Sequence, residues 1–165
     1  MDKSELILNE DGSVYHLKLK PENLSSKIIL VGDQFRVDKI TKHFEKIEFK
    51  VQNREFKSVT GYYNSNRITV ISTGIGSGNI DIVLNELDAL VNINLNTGEL
   101  NKSLKKLELI RIGTSGAIQK DIPVDSFLIS KMAIDVDGFL LNYDLANRDN
   151  TKFNNHIYKE HQIED

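Results

Sequence analysis

Residues 27–36 read KIILVGDQFR, and this stretch decides the fold. Four consecutive apolar residues, Ile28 to Val31, have no polar alternation, which is the pattern of a parallel strand buried on both faces. Gly32 breaks the strand, and the spacing of Val37, Ile40 and Phe44 then places one apolar stripe on a helix. The same grammar occurs twice more, in TVISTGIGSGN (69–79) and LELIRIGTSGA (107–117). Glycine lets backbone N–H groups approach an anion without Cβ obstruction, and an arginine near two of the turns adds a fork of donors suited to phosphate.

Working outward, Asp11-Gly12 is a turn signal between ELIL and VYHLKL, which predicts a short strand containing His16. The segment Phe49 to Tyr63 is rich in Thr, Val, Tyr and Phe and leads through Asn64-Ser65-Asn66, a hairpin turn, into RITVIST. Asn79 is an N-cap candidate for a helix marked by Ile80, Val83, Leu84, Leu87, Leu90 and Val91. NINLNTGELNKSLKK (92–106) reads as an irregular connection or small hairpin before the strand LELIRI. A further strand is expected at DSFLISKMAI (125–134), and the chain turns polar and Asn-rich from Asn142 to Asp165.

With 165 residues the chain is long enough for one core of ordinary size. Lys+Arg 21 against Asp+Glu 24 gives a net charge of −3, which supplies no basis for a nucleic-acid surface or a polybasic membrane patch. There is no cysteine, so disulfides and thiolate metal sites are excluded. MDKSELILNE lacks the apolar segment of a secretion signal, and no apolar run approaches the roughly 20 residues of a spanning helix. A soluble, cytoplasmic chain is the expectation.

The chemistry rests on the loops. In LELIRI, alternation places Leu107, Leu109 and Arg111 on one face and Glu108, Ile110 and Ile112 on the other. A guanidinium among leucines either pairs with an acid, the commoner outcome, or awaits an anionic ligand. Gly113, Thr114, Ser115 and Gly116 supply N–H groups and two hydroxyls at the end of the same strand. Arg36 falls at the start of the first helix, where the dipole favours anions, or else is a solvated surface residue. The Gly74-x-Gly76 loop lacks the strand-end acid of a dinucleotide fold, and no Gly-Lys-Ser/Thr follows any glycine loop. His16, His43, His156 and His161 have no metal-ligand spacing, and no Ser/His/Asp set can be assembled. Adjacent Arg54 and Glu55 read as a solvated face.

In combination, VYHL, VGDQFRVDKI, REF, TGYY, ISTGIG, NELDAL and RIGTSGAIQ make the sequence similar to the nucleoside phosphorylase family, most closely its uridine phosphorylase branch. The resemblance implies an α/β fold, a mixed twisted sheet flanked by helices, truncated at its C-terminus. It implies an enzyme in which inorganic phosphate attacks the anomeric carbon of a nucleoside, leaving free base and ribose 1-phosphate, with no cofactor. Gly32 and Arg36 match the first phosphate loop, and Arg111, Gly113 and Thr114 the second, with Thr114 also near the ribose. The catalytic set so implied is Arg36, Arg111 and Thr114. Arg54 matches an arginine that reaches across a dimer interface to the neighbour's phosphate, and His16 a histidine lent to the ribose 5′-hydroxyl. A homo-oligomer is therefore implied, with no nucleic-acid or membrane partner. Ser115 and Gly116 match positions lining the base. Glu55 and Ile75 match positions holding a monovalent cation in some members, although Asn79 stands where serine is usual.

Two departures accompany the match. Val31 and Gln34 replace the prolines of the family's Pro-Gly-Asp-Pro loop, and family members continue well past residue 165. Their further half supplies the glutamine and arginine that read the base and the glutamate that binds the ribose hydroxyls. Residues 1–141 then correspond to the N-terminal part of a single domain, and 142–165 to the tail where the second half begins. The alternative is a catalytically inactive phosphate-binding remnant, or one part of a split enzyme completed by a separate C-terminal half.

Overall fold

A computed structural model describes residues 6–131, 133 and 138–143. The chain divides into two units, residues 1–119 and 120–165.

In the first unit, β1 (Lys27–Val31) leads into α1 (Gln34–Thr41), followed by β2 (Lys46–Asn53), β3 (Phe56–Tyr63) and β4 (Asn66–Ser72). Helix α2 (Ser77–Asn92) comes next, then the two-residue strands β5 (Ile93–Asn94) and β6 (Glu99–Leu100), and β7 (Glu108–Ile112). The main sheet has the order β2-β3-β4-β1-β7. Strand β1 is parallel to both its neighbours, β4 and β7, while β3 is antiparallel to β2 and β4. This is the mixed α/β sheet expected.

Strand β1 justifies its apolar run. Ile28 and Leu30 join Phe56, Ile71 and the α2 residues Val83, Leu87 and Leu90 in one core. The alternate residues Ile29 and Val31 join Val59, Val70 and the α1 residues Val37 and Ile40 in another. Period-2 alternation thus feeds two helix-covered faces from one continuous hydrophobic sequence. Lys57 of β3, almost buried, pairs with Asp38 of α1 and ties that helix to the sheet. The hydrogen bond from that ammonium holds the Asp38 carboxyl below its ordinary range.

Several expectations are corrected. VYHLKL is not a strand: only Val14 bridges to Leu8, after which the chain turns, with Lys18 at φ 51°. A straight strand would send Val14 to one side and Leu17 and Leu19 to the other, whereas all three are buried in the same core. The turn is what brings them together. Helix α1 stops at Thr41, so Phe44 packs against its core from beyond the helix end. Strand pairing begins at Lys46 rather than Phe49, and a second tight turn, at Arg54-Glu55, divides the 49–63 segment into β2 and β3. The Asn64-Ser65 hairpin is present, with both residues at positive φ, the signature of a primed turn.

Helix α2 is capped by Gly76, not Asn79, and begins at Ser77. Asn79 lies in its first turn, where its Nδ2 donates to the Ile75 carbonyl at 3.1 Å. The small hairpin within 92–106 is borne out as β5–β6. In the second unit, the expected strand at 125–134 is not formed by its described residues, 125–131 and 133. Apolar propensity alone does not make a strand without a ladder partner. Phe139–Asn142 form a short 3-10 turn, and the polar tail from residue 144 lies outside the described residues. Among the described residues no helix is long and apolar enough to cross a membrane.

Candidate active site

Because β4, β1 and β7 are adjacent and parallel, their carboxyl ends emerge side by side. Those ends are Gly74, Gly32 and Gly113 of the three glycine turns, and all three line one open cleft of about 700 Å³. A crevice beyond the carboxyl ends of parallel strands is the favoured ligand position in open α/β sheets. Separate sequence motifs become one site through strand order alone.

Arg36 and Arg111 both line this cleft. From the first turn of α1, Arg36 donates through Nη1 to the Ile112 carbonyl at 3.2 Å, so it spans from the end of β1 to the end of β7. In β7, Arg111 is in register with Leu30 of β1, and its guanidinium lies over Gly113 and beside Gly32. A Cβ at Gly113 would fall 2.8 Å from Arg111 Nη1, so glycine there leaves the space the guanidinium occupies. Among the described residues neither arginine forms an ion pair with a carboxylate. The internal ion pair considered for Arg111 is therefore not made. Arg111 is also exposed rather than buried among leucines, because β7 is the edge strand of this sheet.

The loop after β4 is set by crowding. Gly74 has φ +69°, and a Cβ there would lie 2.7 Å from Asn79 Nδ2 and 2.8 Å from Glu55 Cγ. The residue before it, Thr73, is fixed by donating its N–H to the Val31 carbonyl at 2.7 Å. Gly74→Ala combines left-handed strain with overpacking and is expected to destabilise the chain by about 2 kcal/mol, read as a lower urea midpoint at unchanged slope. An unaltered midpoint would show that the loop relaxes freely.

Thr114, Glu55 and Ile75 also line the cleft, whereas Ser115 and Gly116 are exposed and do not. Asp33 lines it as well, so two acidic residues stand beside the two arginines, and the Asp33 carboxylate caps α1 by accepting the Phe35 N–H at 3.0 Å. The Ile75 carbonyl accepts the Asn79 amide, and among the described residues no cluster of three His, Cys, Asp or Glu could hold a metal ion.

His16 and Arg54 do not line this cleft. His16 lines a second cleft, of about 330 Å³, where its Nδ1 lies 2.7 Å from Glu86 Oε1. Glu86 also accepts the N–H groups of His16 and Leu17, each at 2.8 Å, so a nearly buried carboxylate of α2 organises the N-terminal turn. Arg54 is exposed at the β2–β3 turn, and Asn53 beside it donates to the His16 carbonyl at 2.9 Å. Sequence reasoning overlooked Glu86, although the signal was there: position 86 lies three residues after Val83 and four before Leu90, an acid on the apolar stripe. Gln34, which also lines the cleft, was noticed only as a departure from proline.

The model of the Phosphorylase superfamily matches residues 26–161. The uridine phosphorylase of Thermococcus kodakarensis is 33% identical over 134 residues, covering 81% of this chain and 43% of that protein. The uridine phosphorylase of Haemophilus influenzae is 35% identical over 127 residues, covering 76% and 45% respectively. A crystal structure of Trypanosoma brucei nucleoside phosphorylase, described as showing uridine phosphorylase activity, superposes with a TM-score of 0.73 at 30% identity, over 93% of this chain and 52% of that one. The chain spans about half the length of the relatives it matches.

Proposed function

The chain belongs to the phosphorylase superfamily, and from that premise we propose that it supplies the phosphate-binding half of a uridine phosphorylase-type nucleoside phosphorylase. The observation that carries this reading is the convergence of Arg36 and Arg111, neither paired with a carboxylate, on one cleft where three parallel strands end.

Phosphate enters between the two guanidiniums and receives backbone N–H groups from the Gly32 and Gly113 turns, with Thr114 between anion and ribose. Holding the anion in line converts an encounter into an oriented attack on the anomeric carbon. As the bond to the base breaks, positive charge grows on the sugar, and the phosphate negative charge beneath it stabilises that transition state. One phosphate oxygen gains the bond to the anomeric carbon, and the departing base keeps the electron pair and takes up a proton. No nucleophilic side chain is used, and inorganic phosphate is a co-substrate rather than a cofactor.

Arg54 and His16, which do not line the cleft of Arg36 and Arg111, act on a neighbouring subunit's site in a homo-oligomer, one on phosphate and the other on the ribose 5′-hydroxyl. Ser115 and Gly116 border the base once a second half closes over them. The role we assign to the chain is pyrimidine salvage in the cytoplasm. A phosphate-binding module without turnover is the second reading.

Two measurements on the full chain decide between them. Phosphate, against chloride at equal ionic strength, is expected to raise the melting temperature, and uridine is expected to yield uracil only when phosphate is present. Stabilisation without uracil release favours the module. Absence of both removes the phosphorylase reading.

A further inference from the structure

The β2–β3 turn is built at a disadvantage. Asn53 pairs with Phe56, which leaves Arg54 and Glu55 as the two central residues, and Arg54 has φ +53°. Two-residue hairpin turns place glycine, asparagine or aspartate at such positions, because a longer side chain there is strained. Strain of this kind persists when the surroundings hold it, and it gathers at working parts of proteins.

Two side chains from other elements bond the tip: the Ser72 hydroxyl donates to the Glu55 carbonyl at 2.7 Å, and a glutamine holds the strained residue itself. Gln34 Nε2 donates to the Arg54 carbonyl at 2.6 Å, and Gln34 Oε1 accepts from Gln52 Nε2 at 2.7 Å. Both ends of one amide are therefore spent on the hairpin. Gln34 is the first residue of α1 and lines the oxyanion cleft between Gly32 and Arg36 in sequence. On the other side of the strained residue, Glu55 lines the same cleft and lies against Gly74. The hairpin tip is clasped to two of the three glycine loops.

We infer that Gln34 is a positioning residue: it pins the hairpin tip to the first glycine loop, so that the Arg54 guanidinium is offered to an oxyanion from a fixed backbone. The identity of that anion as phosphate rests on the function proposed above. The pin itself does not.

The test uses the full chain and two substitutions. Gln34→Ala removes the amide. Gln34→Pro removes it while keeping α1, since proline is favoured at the first helical position and Asp33 before it is already extended, at φ −114° and ψ 136°. Trypsin cutting at Arg54–Glu55, followed by mass spectrometry, reports release of the tip, because cleavage follows the population of the opened segment. Both variants are expected to be cut there about tenfold faster than the parent chain, a measure of local opening, while cutting at Arg67 is unchanged. A double-mutant cycle supplies the functional readout: Gln34→Pro is expected to weaken the phosphate-induced melting shift when Arg54 is present and to change nothing in an Arg54→Ala background.

Equal cutting rates in parent and variants overturn the pin. Faster cutting with additive effects on phosphate binding overturns its action through Arg54. Faster cutting in a protein whose parent chain ignores phosphate upholds the pin and removes the phosphate reading instead.

Discussion

Arg111→Ala is expected to abolish the phosphate-dependent rise in melting temperature. In the parent chain, phosphate at a hundred times its dissociation constant stabilises by about 2.7 kcal/mol through mass action. Arg111 is expected to contribute to that binding in two ways, as a charge and as a planar fork, since its guanidinium lies over Gly113 beside Gly32. Losing a charge-assisted pair of hydrogen bonds costs about 3 kcal/mol, enough to weaken binding by about two orders of magnitude and erase the shift at the same phosphate concentration. Arg111→Lys is expected to recover little, because an ammonium restores the charge without the fork. Thermal unfolding of the three proteins across a phosphate titration is the measurement. A full response in the alanine variant removes Arg111 from the site and, with it, the convergence on which the phosphorylase reading rests.

The second large effect lies outside the cleft, at Glu86. Its carboxylate is 8% exposed and accepts three hydrogen bonds, from the N–H groups of His16 and Leu17 and from the His16 ring. Glu86→Ala strands these donors under the N-terminal turn and is expected to destabilise the chain by about 3 kcal/mol, a fall of about 10 °C in melting temperature. Glu86→Gln keeps one acceptor oxygen but points an NH₂ at a donor, so about half the loss is expected. Circular dichroism during heating separates the three. If the alanine variant melts with the parent chain, the turn is held by Val14, Leu17 and Leu19 alone, and His16 has no fixed place for any role across an interface.

Local features of this fold were legible because their causes are local. The apolar run of β1, the stripe of α2 and the Asn64-Ser65 turn each follow from neighbouring residues. The Arg54-Glu55 turn was not legible, since neither central residue is the glycine, asparagine or aspartate that favours such a turn, and the amide bonded to the Arg54 carbonyl comes from Gln34, twenty residues earlier. VYHLKL misled for a related reason. Its alternation suits a strand, yet burial of Val14 with Leu17 and Leu19 in one core outweighs that preference, and Glu86 satisfies the N–H groups left by the turn. Asn79 carries the chemistry of an N-cap, but Gly76 can adopt φ +100° and starts the helix earlier. The strand expected at 125–134 shows the same limit from the other side, for pairing is a property of two segments.

By itself, the sequence determined that three strand-to-glycine turns exist, that arginines stand at two of them, and that the motifs are those of a phosphorylase. Periodicity and backbone preference act over a few residues, so each turn could be read alone. Only the tertiary structure decided that the three turns share one cleft, because that depends on β4, β1 and β7 being adjacent and parallel. Arg36 and Ile112 are 76 residues apart in the chain and 3.2 Å apart in space. Non-local packing made that contact, and no window of sequence contains it.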